Sequence, residues 1–256
     1  MAVKKNFAED NLVNISNKEE YFKLISESIR NNKKKTFYYL NSQSFYLYNK
    51  DANFKKALDE ANYIIADGYS ITFRMKKLTG QEIEKVVFTY SFFGFLADFF
   101  VKYKTRLFFL GADKTTIKTA INNFEAKYRE INICGFSDGY FDVNSETEQI
   151  ITKINSASPD IIICGMGMPR SEIWLNKNRE KLNVKCIFSV GGFFDFAAGN
   201  VKIAPDWMYN TGIEWIYRFI QEPGRLFKRY AVVNSYFILR FIKDYIRIKS
   251  FSIFHH

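Results

Sequence analysis

Six short apolar runs, each ending at a glycine or a small polar residue, alternate along this chain with stretches of helical periodicity. The runs are Lys35–Leu40, Tyr63–Ala66 and residues 106–110, 130–135, 160–164 and 185–190. A short apolar run bounded by turn residues suits a strand buried on both faces, and an intervening helix makes successive strands parallel. Helical patterns fill residues 17–30, 51–62, 70–78, 91–103, 114–128, 146–155 and 171–182. The rhythm predicts an α/β fold: a Rossmann-like, open, mostly parallel sheet with helices on both faces. Ligands of such sheets bind outside the carboxyl ends of the strands. Asn41, Asp67, Gly111, Gly165, Gly167, Gly191 and Gly192 fall at those ends.

Composition then removes whole classes of chemistry. With 256 residues, 47% hydrophobic, the chain can build a core without disulfides or metals. Its two histidines, His255 and His256, end the sequence, which argues against Ser-His-Asp or Cys-His nucleophiles and His-bound zinc. Cys134, Cys164 and Cys186 have no C-x-x-C spacing and read as reduced core residues. The polar residues 1–11 predict no secretory leader. The longest uncharged apolar run, residues 86–97, has 12 residues, where a membrane span needs about 20.

The pattern changes near residue 200, so the expected organisation is a core over residues 1–200 and a helical C-terminal appendage over 201–256. The net charge is +10, and between Arg218 and Lys249 eight basic residues face only Glu222 and Asp244. A break at Gln221-Glu222-Pro223-Gly224 precedes a long predicted helix starting at Arg225. On it Arg240, Lys243, Asp244 and Arg247 share one stripe, with aromatic and aliphatic residues on the remaining surface. Such a helix suits an anionic membrane surface, and it suits packing on the core or on a second subunit of a homo-oligomer equally well. No nucleic-acid motif accompanies the charge, so no nucleic-acid partner is expected.

Two local motifs stay ambiguous on spacing alone. Gly165-Met166-Gly167-Met168-Pro169 joins a strand to a helix and reads as a phosphate cradle or as a plain tight turn. Asp67, after a strand and before Gly68, reads as a helix N-cap.

The ordered set of motifs is more specific. A-D-G, L-G-A, D-G-Y-F, P-D-I-I-I-C-G-M-G-M-P-R-S-E-x-W, S-V-G-G-F-F-D-F-A-A-G, A-P-x-W, G-I-E-W-I-Y-R and E-P-x-R-x-x-x-R-Y closely resemble the WecG/TagA/CpsF glycosyltransferases. The resemblance runs from Phe37 to Tyr230. It implies an inverting, metal-independent transfer of a hexose-type sugar (N-acetylmannosamine, its uronic acid, or glucose) from a UDP-sugar. The implied acceptor is an undecaprenyl-diphosphate-linked saccharide at the inner face of a bacterial cell membrane, and the products are surface polysaccharides such as teichoic acid. No cofactor is implied, and no two aspartates stand two residues apart to hold a metal.

By the same resemblance Asp67 is the general base. Asn41, Gly111, Gly165, Gly167, Arg170, Ser171, Glu172, Gly191, Gly192, Asp195 and Lys85 shape the sugar site, and Arg218, Arg225 and Arg229 hold the diphosphate. Six positions depart from the family pattern: Tyr39 replaces a threonine, Lys85 an arginine, Phe88 a glycine, Tyr90 an aspartate, Ser171 a glutamine and Ile203 an arginine. They cluster where sugars are read, which leaves both sugars open and admits a fold kept for membrane-associated binding without catalysis. A nicotinamide oxidoreductase is the weaker rival, because the glycine fingerprint is incomplete.

Overall fold

The computed structural model describes residues 12–15, 17–83 and 90–253. Lys85 and part of the apolar run 86–97 lie outside the described residues. The chain opens with helix α1 (Lys18–Arg30), capped by the Asn17 side chain, which accepts from the Glu20 N–H. Strand β1 (Lys35–Leu40) leads to α2 (Ser42–Lys50) and α3 (Ala52–Asp59), then to β2 (Tyr63–Ala66), α4 (Tyr69–Thr79) and α5 (Tyr90–Lys102). The second half runs β3 (Arg106–Gly111), α6 (Lys114–Lys127), β4 (Asn132–Ser137), α7 (Thr147–Ser156), β5 (Ile161–Gly165), α8 (Arg170–Asn178), β6 (Cys186–Ser189) and α9 (Phe193–Ala198).

All six strands form one parallel sheet in the order β2-β1-β6-β5-β3-β4. Side chains alternate between its faces, so each strand feeds two cores. Phe37, Phe109, Ile161, Ile163 and Phe188 pack under α1, α5, α6 and α9. Tyr38, Leu40, Phe108, Ile162 and Ile187 pack under α2, α3, α4, α7 and α8. Continuous apolar runs are what such double burial demands, and that is why these strands are readable in the sequence.

One strand is shifted and one helix is added relative to the expected pattern. The pattern over residues 130–135 predicts a strand ending at Gly135, whereas β4 runs from Asn132 to Ser137. Gly135 is there for packing: a Cβ on it would stand 2.8 Å from the Phe108 ring. The β3–β4 register slips between Leu107 and Phe108, which pair with Ile133 and Gly135 and skip Cys134. The helix expected over residues 51–62 is α3, and a further helix that the pattern does not predict, α2, stands before it. Asp51 ends α2, and its carboxylate starts α3 by accepting from the Asn53 and Phe54 N–H groups.

The appendage consists of α10 (Asp206–Thr211), α11 (Glu214–Gln221), α12 (Pro223–Arg229), a π-helical turn over Tyr230–Asn234 and α13 (Ser235–Ile253). Pro223 occupies the first turn of α12, where its missing N–H costs nothing. The polar stripe predicted on the last helix is not uniformly solvent-facing. Asp244 points inward and pairs with the fully buried Arg74 of α4 at 2.9 Å, while Arg240 reaches the same carboxylate at 3.1 Å. Arg74 also lies over the Phe45 ring at 4.8 Å. This pair fastens α13 to the sheet's helical layer. Removing one member strands a buried charge, so Asp244→Ala is expected to cost about 3 kcal/mol in urea or thermal unfolding. The double replacement Arg74→Met with Asp244→Leu should recover most of that loss; equal losses in both would mean that the cost is packing rather than charge. Among the described residues no helix is long and apolar enough to cross a membrane.

Candidate active site

A cavity of about 840 Å³ opens at the carboxyl ends of the strands, between the sheet and the appendage. Its base is bare backbone. A Cβ on Gly139, after β4, would stand 2.9 Å from the Gly111 Cα, and one on Gly111 would overlap the Gly165 carbonyl. A Cβ on Gly165 would meet the Gly191 carbonyl oxygen at 2.9 Å, and one on Gly191 would overlap the Tyr39 hydroxyl. These residues follow the strand order β4, β3, β5, β6, β1, so one nested row crosses most of the sheet.

Asp67 stands at the end of β2 and lines the cavity. Its backbone N–H donates to the Leu40 carbonyl at 2.8 Å, which ties the loop to β1. The cap reading fails, because the N-cap of α4 is Gly68, at φ +84 with no side-chain cap bond. The Asn41 amide explains why Asp67 can be held away from the helix. Its Oδ1 accepts from the Gln43 and Ser44 N–H groups at 3.0 Å, and its Nδ2 donates to the Asp67 carboxylate at 3.2 Å. Ser44 Oγ closes the capping box by accepting from the Asn41 N–H. Asn41 is thereby a rigid bracket that starts α2 and fixes Asp67.

Gly165, Gly167, Gly191, Gly192, Asp195, Arg170 and Arg218 also line the cavity. Arg218, on α11, stands 4.9 Å from the Phe196 ring and 3.8 Å from Glu222, and its buried Nε has no hydrogen-bond partner among the described residues. Arg170 turns partly away: it donates to the Phe141 carbonyl and covers the Phe141 ring at 5.3 Å, bracing the loop after β4. The side chains of Arg225 and Arg229, both on α12, lie outside the described part.

Three expected contact residues sit elsewhere. Gly111 lies beneath the cavity as a packing glycine rather than on its surface. Ser171 is fully buried, and its hydroxyl accepts from the Met166 N–H at 2.9 Å, so it closes the turn instead of reaching a ligand. Glu172 is buried behind the same turn, accepting from the Ser189 hydroxyl at 2.6 Å, and its Oε2 has no hydrogen-bond partner among the described residues. Residue spacing places Ser171 and Glu172 near the helix start but does not say which way they point. Conversely Tyr39, Glu214, Tyr230 and Asn234 line the cavity. Tyr39 stands out in the sequence only as a departure, Glu214 and Tyr230 lie inside quoted motifs without being singled out, and Asn234 carries no signal, since this part of the chain reaches the strand ends from far along the sequence.

Burial pushes the Glu172 carboxyl up to about 7, partly offset by the Ser189 hydroxyl. The folded protein therefore keeps a proton that the unfolded chain releases near pH 4.3, roughly the ordinary glutamate value. Stability on this account falls as pH rises from there to about 7 and is level above. Glu172→Gln should remove this loss, narrowing the difference in Tm between pH 5 and pH 8; an unaltered difference would assign the titration to another group.

Two comparisons with known proteins bear on what this cavity does. The description "Glycosyl transferase WecG/TagA/CpsF family" matches residues 10–250. The chain belongs to this family. An N-acetylglucosaminyldiphosphoundecaprenol N-acetyl-beta-D-mannosaminyltransferase of Bacillus subtilis is 32% identical over 187 residues, covering 73% of this chain and 71% of that protein. Its namesake in Bacillus spizizenii is 30% identical, covering 69% and 67%. A UDP-Gal:alpha-D-GlcNAc-diphosphoundecaprenol beta-1,4-galactosyltransferase of Shigella boydii is 28% identical, covering 78% and 83%.

As a WecG/TagA/CpsF glycosyltransferase, the chain places its departures unevenly. Tyr39 brings a phenol to the cavity, its hydroxyl filling the space against Gly191, where φ is +53. Ser171 is remote from the cavity surface. Among the described departures, Tyr39 is therefore the one on the cavity wall.

Proposed function

We propose that this glycosyltransferase moves a hexose-type sugar from a UDP-sugar to a saccharide carried on undecaprenyl diphosphate, with inversion and without a metal ion. The acceptor half of the reading is supported by the printed names of the relatives, all three of which act on diphosphoundecaprenol-linked sugars. The observation that carries the reading is Asp67, fixed by Asn41 in a cavity that Arg218 also lines, its buried Nε without a hydrogen-bond partner among the described residues.

In this mechanism the acceptor hydroxyl oxygen attacks the anomeric carbon from the face opposite UDP. The new glycosidic bond forms as the bond to the diphosphate oxygen breaks. The hydroxyl proton passes to the Asp67 carboxylate, and the leaving electron pair stays on UDP. Arg218 and the N-terminus of α8 offset the charge that develops there, with Arg225 and Arg229 as further cations from the appendage. Asp195 and the backbone around Gly165, Gly167, Gly191 and Gly192 would hold the donor.

Residues 201–256 complete the site and meet an anionic membrane at the cytoplasmic face in this reading. Ile220, Phe227, Leu239 and Ile246 are exposed on that segment, and Lys243 and Arg247 are exposed beside them, which suits an interfacial surface.

The test is UDP release from a panel of UDP-sugars with a lipid-diphosphate N-acetylglucosamine acceptor. Acceptor-dependent release with one donor, unchanged by EDTA, is the expected result. Release that stops with EDTA and returns with Mn²⁺ would refute the metal-free mechanism, and silence across the panel would refute UDP-sugar transfer.

A further inference from the structure

An apolar strip leaves the cavity between α4 and α13. It begins at Tyr69, which lines the cavity two residues after Asp67 and is held against Gly212, where a Cβ would meet the Tyr69 ring at 2.6 Å. From there aromatic contacts continue without a gap. Tyr69 stacks on Phe73 at 5.7 Å, Phe73 meets Phe241 of α13 at 5.7 Å, and Phe241 meets Tyr245 at 5.9 Å. Beside this ladder runs a row one helical turn apart, Ile238, Ile242 and Ile246, which are 54%, 46% and 58% exposed. Ile238 also lines the cavity, so both rows start at its mouth. From Ile238 to Ile246 the row extends roughly 12 Å.

We infer that this strip seats the first isoprene units of the acceptor's polyprenyl chain. The inference rests on the glycosyl-transfer reading above. Three features favour that occupant. The strip is continuous with the substrate cavity, so a molecule lying in it can also reach the cavity beside Asp67. It is lined by aromatic and branched aliphatic side chains, which match an unsaturated, methyl-branched hydrocarbon and require no directional bonds. The relatives' acceptors, by their printed names, carry an undecaprenol. At rest such exposure is costly, and a substrate that covers it gains affinity from the area it removes from water.

The chain's contribution would then be direct binding, separable from partitioning of the acceptor into a bilayer. The experiment uses the full-length protein without vesicles or detergent. The acceptors share one sugar diphosphate and carry prenyl chains that lengthen from a single isoprene unit, each below its micelle concentration. For the wild-type protein kcat/KM should rise about tenfold over the first units and then level off as the strip fills, with the change in KM rather than kcat. Phe73→Ser and Ile242→Ser, both at exposed positions, should flatten that rise while leaving UDP-sugar affinity within about twofold.

A slope retained in both variants overturns the inference. So does a chain-length effect that emerges only when anionic vesicles are added, since the bilayer is then the apolar partner. Absence of UDP release with every acceptor overturns the transfer reading itself, a result distinct from either of these.

Discussion

Replacing Asp67 with asparagine is expected to lower kcat about a thousandfold, within the range that a positioned general base contributes. The substitution preserves shape. The Asn41 Nδ2, now 3.2 Å from the carboxylate, can donate to the new amide oxygen, so the bracket formed by α2 and the loop after β2 stays closed. What disappears is the ability to accept a proton from the attacking hydroxyl. Donor affinity should therefore hold within about threefold, and the loss should fall on turnover. Steady-state UDP release with saturating donor and acceptor measures the first quantity, and UDP-sugar titration monitored by calorimetry measures the second. A variant that keeps more than about a tenth of the wild-type kcat would remove Asp67 from the proton transfer. Glu214 would then be the next carboxylate to replace. It lines the same cavity, and its Oε1 would lie 3.9 Å from a Cβ on Gly68.

Asn41→Ala tells positioning apart from proton transfer. It deletes the bracket but leaves the carboxylate, so its effect on kcat should be smaller than that of Asp67→Asn. Loss of the N-cap adds about 1 kcal/mol of instability, which thermal unfolding reads independently of turnover.

The order of strands and helices was legible because a doubly covered parallel strand must be apolar at every position. Residues 107–110 and 161–164, Leu-Phe-Phe-Leu and Ile-Ile-Ile-Cys, satisfy that rule in the interior strands β3 and β5. The rule weakens at the edge: β4 pairs with one neighbour and its Asn132 is exposed, so its apolar pattern does not mark its ends. Helix α2 has a local signal that the periodicity does not use: Asn41 and Ser44 stand three apart as a capping box, whereas the sequence pattern marks Asn41 as a strand end and the resemblance marks it as a site residue.

The site was legible only in part, for a different reason. Periodicity tells which residues share a helix face and not which way that face looks. Asp244 shares a stripe with Lys243 and Arg247 yet is buried on Arg74, a residue 170 positions away. Glu172 and Ser171 follow the Gly-rich turn in sequence, but the first turn of α8 directs both behind it. The bracket between Asn41 and Asp67 needs β1 and β2 to be neighbours, and nothing in either run of residues specifies that pairing.

The second large effect should come from a residue with no functional group at all. Gly111→Ala is expected to lower stability by about 4 kcal/mol, the range reserved for severe steric conflict. At Gly111 φ is +148, a region that residues with a Cβ rarely adopt, and the added methyl would drive into the Gly165 carbonyl with its carbon 2.8 Å from the Gly165 Cα. Neither obstacle is a flexible side chain. Ala112 N–H donates to the Gly165 carbonyl at 3.2 Å, and Gly139 N–H donates to the Ala112 carbonyl at 2.8 Å, so the three backbones are cross-tied. Relief would require β3 and β5 to separate at their carboxyl ends, beneath the loop that carries Gly165 and Gly167. Gly167→Ala supplies the comparison, because φ there is +85 but a Cβ on it would meet no atom within 4 Å among the described residues beyond its chain neighbours. That variant carries the backbone strain without the collision and should lose about 1 kcal/mol. The difference between the two, read as urea midpoints with equal slopes, isolates the close approach of the strands. Equal losses would mean that the glycine row is tolerant of a methyl group and that the floor of the cavity is set by the surrounding helices instead.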